Sequence, residues 1–232
     1  MRIDKLLVSQ GIGSRKEVQA LIRSGQVNVN GSAVKKPELK VDEHTASVSV
    51  GGREIAFRKY IYIVMNKPPG VVCATEDKRD RTVIDLIPKE LRRSGLFPAG
   101  RLDKDTTGLL IITDDGELAH NMLSPKKHVD KRYIAVLSRS ASQENVQRFE
   151  RGIVFADGTV CKPARLIPLE GNRAEVVISE GRFHQVKKMF LTQGIEVIKL
   201  RRVQIGGYVL PDDLPEGECR LMSETELLGV FS

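Results

Sequence analysis

Along the N-terminal part of the chain the apolar positions change period in a readable order. Ile3, Leu6 and Leu7 recur at helical spacing, Gly11 to Gly13 interrupts them, and Ser14 with Glu17 stands in capping-box register at the head of a second helix. Val18, Leu21 and Ile22 form that helix's apolar stripe, and Gly25 suits the left-handed position past its end. Val27 and Val29 then alternate into Asn30-Gly31, a two-residue hairpin signal, and Val34 resumes beyond it. Val48 and Val50 add strand character ahead of Gly51-Gly52, after which Arg53 to Lys59 reads as a linker. The pattern predicts a small helix, helix and hairpin unit over residues 1–58 and a larger unit over 59–232.

From Tyr60 onward strand signals dominate. The run "YIYIVM" ends in a turn at Asn66 to Gly70, and "VVCAT" follows as a second short strand. "LLIIT" is apolar without interruption and so is expected to be buried on both faces, whereas "YIAVL" and the series Ala174, Val176, Ile178 read as further strands. Helices are expected at "GELAHNML" and "SQENVQRFERG", and Ser223 with Glu226 repeats the capping-box spacing near the C-terminus. The fold class is therefore α+β: a small N-terminal α/β unit and a larger one built on a mainly antiparallel mixed sheet with flanking helices.

Charge narrows the partners. A net charge of +7 over 232 residues favours an anionic partner, with nucleic acid foremost. Up to Arg58 there are ten Lys or Arg against six Asp or Glu, and Arg15, Lys16 and Arg23 cluster on or beside the second predicted helix. Such a cluster is either a solvated helix face or a surface that contacts phosphates. Cys73, Cys161 and Cys219 give neither a paired disulfide framework nor zinc spacing, which fits a reducing cytoplasm. No stretch suits a signal peptide or approaches the ~18 apolar residues of a membrane span. His44, His120, His128 and His184 lack metal-ligand spacing, and no phosphate-binding loop, dinucleotide fingerprint or nucleophile elbow is present.

Two segments carry candidate chemistry. In "GRLDKDTTGLLIITDDGELAH", Asp114, Asp115 and Gly116 fit an ordinary turn, whereas Asp103 and Asp105 precede a Thr-Thr-Gly and close no hairpin. In "EGRFHQVKKMFLTQG", Phe183, Val186, Phe190 and Leu191 are expected on one apolar helix face, with Lys187 inside the stripe. Lys187 either snorkels to solvent along its methylene stem or is a buried ammonium that needs a carboxylate. Asp103 is the partner of choice in the second case, because an adjacent ammonium would keep an enclosed carboxylate charged and nucleophilic.

The segment "RIDKLL…GSRKEVQALIRSGQVNVNG" resembles the small RNA-binding domain named for ribosomal protein S-four. The loop around Asp103, the preceding "MNKPPGVVC", the "KRY" of Lys131 to Tyr133, and "SEGRFHQVKKMF" followed by "IGG" resemble, in order, the RsuA-type family of RNA pseudouridine synthases. That resemblance implies isomerisation of a uridine in RNA without metal or organic cofactor. It implies that Asp103 is the essential nucleophile or base and that Lys187 pairs with it. Tyr133 would stack on the flipped base, the alternative being an ordinary strand aromatic, and Arg101 would contact RNA near that nucleotide. Arg182 and His184 are expected to contact RNA as well. The expected partner is ribosomal RNA or a ribosomal-subunit assembly intermediate, met by a cytoplasmic monomer. Length and the lack of a long basic tail resemble members acting on 16S rRNA, although relatives acting on 23S rRNA share the motifs. A non-catalytic RNA-binding protein of ribosome assembly fits the charge and the N-terminal unit equally well.

Overall fold

In a computed structural model describing residues 1–124, 127 and 129–232, the chain divides into two units. One comprises Met1–Ile61 with Pro88–Leu96, the other Tyr62–Ile87 with Phe97–Ser232. His128 lies outside the described residues.

In the first unit, helix α1 (Ile3–Ser9) packs on helix α2 (Arg15–Arg23). The Ser14 hydroxyl accepts from the Glu17 amide while the Glu17 carboxylate accepts from the Ser14 amide, the reciprocal cap read from the sequence. Strands β1 (Val27–Val29) and β2 (Ser32–Val34) join through Asn30 and Gly31, whose φ of 51° and 79° are the left-handed values a two-residue hairpin turn requires. β3 (Val48–Val50) flanks β1, and β4 (Arg53–Glu54) pairs with β3. The segment that reads as a linker thus begins as an edge strand. Ile3, Leu6, Leu7, Val18, Ile22 and Val27 form the core. Pro88–Leu96 belongs to this unit, and the Arg93 guanidinium donates to the carbonyls of Arg58 and Lys59.

The second unit is built on a nine-stranded sheet. Its elements in chain order are β5 (Tyr62–Lys67), β6 (Phe97–Pro98), β7 (Thr107–Thr113), α3 (Gly116–Leu123), β8 (Lys131–Leu137), α4 (Gln143–Arg151), β9 (Arg165–Leu169), β10 (Arg173–Ile178), α5 (Gln185–Leu191), β11 (Val197–Ile205), β12 (Tyr208–Val209), β13 (Cys219–Leu221) and α6 (Glu224–Gly229). The main path runs β13-β5-β7-β11-β8-β10-β9, with β6 on β7 and β12 on β11. Only β7 and β11 pair in parallel among these strands, through Thr107 with Arg201 and Gly108 with Arg202. This is the mainly antiparallel mixed sheet expected.

Burial follows strand position. β7 is buried from Gly108 to Thr113, whereas β8 alternates buried and half-buried residues, with one face on the core. That core joins Ala135, Leu137, Ala174 and Val176 to Val146 and Phe149 of α4 and to Val186, Met189 and Phe190 of α5, with the Phe149 and Phe190 rings 5.0 Å apart. "VVCAT" is not a strand: Val72 makes only a single parallel bridge to Thr82, among turns. Two β-branched residues beside a Pro-Pro-Gly turn carry strand propensity, but too few of their backbone groups meet a partner to propagate a ladder. Among the described residues no helix is long and apolar enough to cross a membrane.

Candidate active site

Between β6 and β7 the chain makes a turn in which the Thr106 amide donates to the Asp103 carbonyl. The Asp103 side chain takes no part in that turn and is left for other partners. Its carboxylate lies 3.2 Å from the Lys187 ammonium and 3.4 Å from Nε2 of His184, while the Asp105 carboxylate lies 2.5 Å from the same ammonium. Lys187 is therefore shared between two carboxylates, one largely enclosed and one 73% exposed. Its hydrogen bond holds the Asp105 carboxyl below the usual carboxylate range.

The loop is stapled from beneath. Lys67, the last residue of β5, has no exposed surface, and its ammonium donates to the carbonyls of Pro68, Lys104 and Thr106 at 2.9 to 3.2 Å. Three backbone carbonyls replace the carboxylate that a buried ammonium would otherwise need, and burial pushes the lysine below its ordinary range. The Gly70 amide donates to the Lys104 carbonyl, and the Leu102 amide to the Cys73 sulfur, whose thiol is pushed up by burial. Leu102 itself is buried in the main core. Asp103 thus sits between an apolar anchor on one side and a lysine-clamped turn on the other.

Helix α5 supplies the cations, though not as the sequence pattern predicts. The helix starts at Gln185, and Gln185, Val186, Met189 and Phe190 face the core, whereas Phe183 and Leu191 are each 67% exposed. The expected stripe is displaced because buried Glu180 and Gln185 bond to each other, and Gln185 accepts from the Arg182 amide, which fixes the first turn later than the apolar spacing implies. Lys187 accordingly flanks the buried face rather than lying inside it, and the ion pair with Asp103 forms from that edge. His184 caps α5 with a left-handed φ of 53°, a strained conformation for a residue with a side chain.

The remaining sequence candidates are dispersed around this centre. Tyr133 on β8 is 8% exposed, packs in the same core cluster as Leu102, and lies across from Arg202. Arg101 is exposed beside Leu102. Arg182 is tied to Glu180 at 3.2 Å and reaches the Val160 carbonyl. Arg15, Lys16 and Arg23 are exposed on α2 of the first unit, where Arg15 joins Arg2, Lys5 and Gln19 around a surface depression. Lys131 is buried, and burial together with Arg202 lowers it to about 8. Among the described residues no three His, Cys, Asp or Glu group into a metal-ligand cluster. Asp115, read as a turn residue, caps α3 by accepting from the Glu117 and Leu118 amides.

Sequence reasoning passed over Lys67 and Cys73 as functional residues, and it put Phe183 on a buried helix face that the structure leaves exposed. Of the two passed over, only Lys67 had a signal, as a charged residue closing an apolar strand run.

Residues 61–192 match the family described as RNA pseudouridylate synthase, and residues 1–46 match the S4 domain. A protein of Bacillus subtilis named uncharacterized RNA pseudouridine synthase YtzG is 45% identical over 98% of this chain and 97% of its own. Proteins named ribosomal small subunit pseudouridine synthase A are 39% identical in Vibrio cholerae, over all of both chains, and 36% identical in Escherichia coli, over 99% of this chain and 100% of that one. A crystal structure of a pseudouridylate synthase superposes with a TM-score of 0.70 at 32% identity, covering 99% of each chain.

Proposed function

This chain belongs to the RNA pseudouridylate synthase family, and from that membership we propose that it isomerises one uridine of small-subunit ribosomal RNA to pseudouridine. The observation that carries the reading is the Asp103 carboxylate, held on a clamped turn with Lys187 and His184 beside it. In the reaction the bond from C1′ to N1 of uracil breaks, the base turns, and a bond from C1′ to C5 forms. The hydrogen on C5 leaves as a proton and N1 takes one up, so substrate and product have the same composition.

Asp103 acts as nucleophile or base at the sugar, and the Lys187 ammonium, 3.2 Å away, orients it. Tyr133 stacks on the uracil once it leaves the RNA helix, and Arg101, Arg182 and His184 contact the surrounding backbone. The first unit, through Arg15, Lys16 and Arg23, grips phosphates, while the second carries the chemistry. Full-length similarity to the small-subunit enzymes of Vibrio cholerae and Escherichia coli supports that choice of RNA. The protein acts as a cytoplasmic monomer on that RNA or on a subunit-assembly intermediate.

The test is tritium release from ribosomal RNA transcripts labelled at uracil C5. The parent chain is expected to release tritium from the small-subunit transcript and not from the large-subunit one. Asp103→Asn is expected to abolish release while preserving fold and RNA affinity, and Asp105→Asn to retain most of it. Release from the large-subunit transcript alone would overturn the substrate, and parental turnover in Asp103→Asn would overturn the residue assignment.

A further inference from the structure

Phe183 is a large aromatic residue that the fold leaves in solvent. It is 67% exposed, and its ring stacks on His184 with centroids 3.8 Å apart and planes 21° from parallel. The same His184 places Nε2 3.4 Å from the Asp103 carboxylate. The Lys188 ammonium lies 5.2 Å from the Phe183 centroid and 5.6 Å from that of Phe155. Exposed phenylalanine is costly in water, and a left-handed histidine is costly in backbone energy, yet the two occur together, at the two positions just ahead of α5. Burial explains neither, because the apolar face of α5 is satisfied by Val186, Met189 and Phe190.

We propose that Phe183, backed by His184, is a stacking platform for an unpaired base of the substrate RNA next to the target uridine. A ring left 67% exposed, with an ammonium over it that an incoming base displaces toward its own phosphate, is what single-stranded nucleic acid needs: a π surface that accepts any base and a cation for its phosphate. The platform is one ring thickness from the histidine that touches Asp103, so a base stacked there is held beside the reacting nucleotide. It also gives the strained His184 backbone a purpose, since that conformation turns the imidazole toward both the carboxylate and the Phe183 ring. The role as a neighbour of the target uridine rests on the proposed function, whereas base stacking by Phe183 stands independently of it.

Two readouts on the full-length protein separate these. Binding of a short single-stranded oligouridine carrying one 2-aminopurine is followed by fluorescence, which stacking quenches. The parent, Phe183→Tyr and Phe183→Trp are expected to quench. Phe183→Ala and Phe183→Leu are expected to quench little and to lose about 5- to 150-fold in affinity, the range found when a base loses one aromatic partner. In tritium release from the small-subunit transcript, Phe183→Ala raises KM with kcat nearly kept, and the aromatic variants restore KM. Because Phe183 lies outside the core, its thermal unfolding serves as a control that all four variants fold. Equal quenching and affinity in Phe183→Ala and parent, or rescue by Phe183→Leu, would overturn the platform, as would a parent that does not quench. A parent that quenches through Phe183 and releases no tritium would leave the platform standing and remove the enzymatic reading.

Discussion

Lys67 and Lys187 show how differently two lysines reveal themselves in a sequence. Lys187 is betrayed by charge logic: an ammonium on a helix that packs on the core needs a carboxylate, and Asp103 is a carboxylate without a turn to close. The premise from which that need is argued, a lysine inside the apolar stripe, does not hold, since Lys187 flanks the buried face of α5; the ion pair with Asp103 forms from that edge instead. Lys67 leaves no comparable trace, since its partners are the carbonyls of Pro68, Lys104 and Thr106, and every residue has a carbonyl. Lys131 is a third case, and it yields a pH prediction. Burial lowers it from the ordinary 10.5 to about 8, with Arg202 adding repulsion. Below pH 8 both folded and unfolded chains hold the proton, and the folded state bears the full cost of a buried ammonium. Between pH 8 and 10.5 the folded chain sheds the proton first, so this group's contribution to stability rises with pH, by on the order of 3 kcal/mol across the window. Urea unfolding of parent and Lys131→Met at pH 7, 8, 9 and 10 is expected to show the parent gaining on the variant over that range. A difference that stays flat would mean that Lys131 is hydrated.

Strand β7 is the element on which the site depends, and Gly108 is where its packing is tightest. A Cβ there would meet the Arg202 carbonyl oxygen at 2.1 Å, and φ is 99°, so the parallel pairing of β7 with β11 admits no side chain at this point. Gly108→Ala is expected to cost on the order of 3 kcal/mol or more and to impair tritium release, because the turn bearing Asp103 leads directly into this residue. Gly31 is the matched control: its φ is 79° but nothing lies within 4 Å, so Gly31→Ala should cost about 1 kcal/mol. Equal losses in chemical denaturation would show that backbone sign alone, and not the approach of β11, sets the requirement. The helices were the most legible elements, since Ser14 with Glu17 and Ser223 with Glu226 form the caps their spacing announces. Hairpin β1 to β2 was equally plain from Asn30-Gly31. "VVCAT" was misread because a short apolar run states a propensity and not a partner, and the order of strands in the sheet is likewise set by contacts far apart in sequence.

At the scale of the whole molecule, the excess of cations predicted an anionic partner before any motif did, and the first unit offers a direct measure of it. Replacing Arg15, Lys16 and Arg23 by Gln touches exposed positions of α2 and leaves its buried Val18 and Ile22 in place. If all three neutralise phosphates, the slope of log affinity against log salt should fall by about 2 to 3, at roughly 0.7 to 0.9 per contact. An unchanged slope would make the cluster a solvated face after all. The return of Pro88–Leu96 to the first unit has a consequence for how that unit is made and moved. During synthesis it stays unfinished until some thirty-five residues after Ile61 have been added, so its final strip arrives only once β5 of the second unit is already out. Anyone grafting it onto another protein as a cassette cut at residue 58 would leave behind Arg93, which fastens the carbonyls of Arg58 and Lys59, and the Arg92 carbonyl against which Gly11 fits too closely for a side chain. The portable piece is two segments of chain, and a working transplant has to carry both.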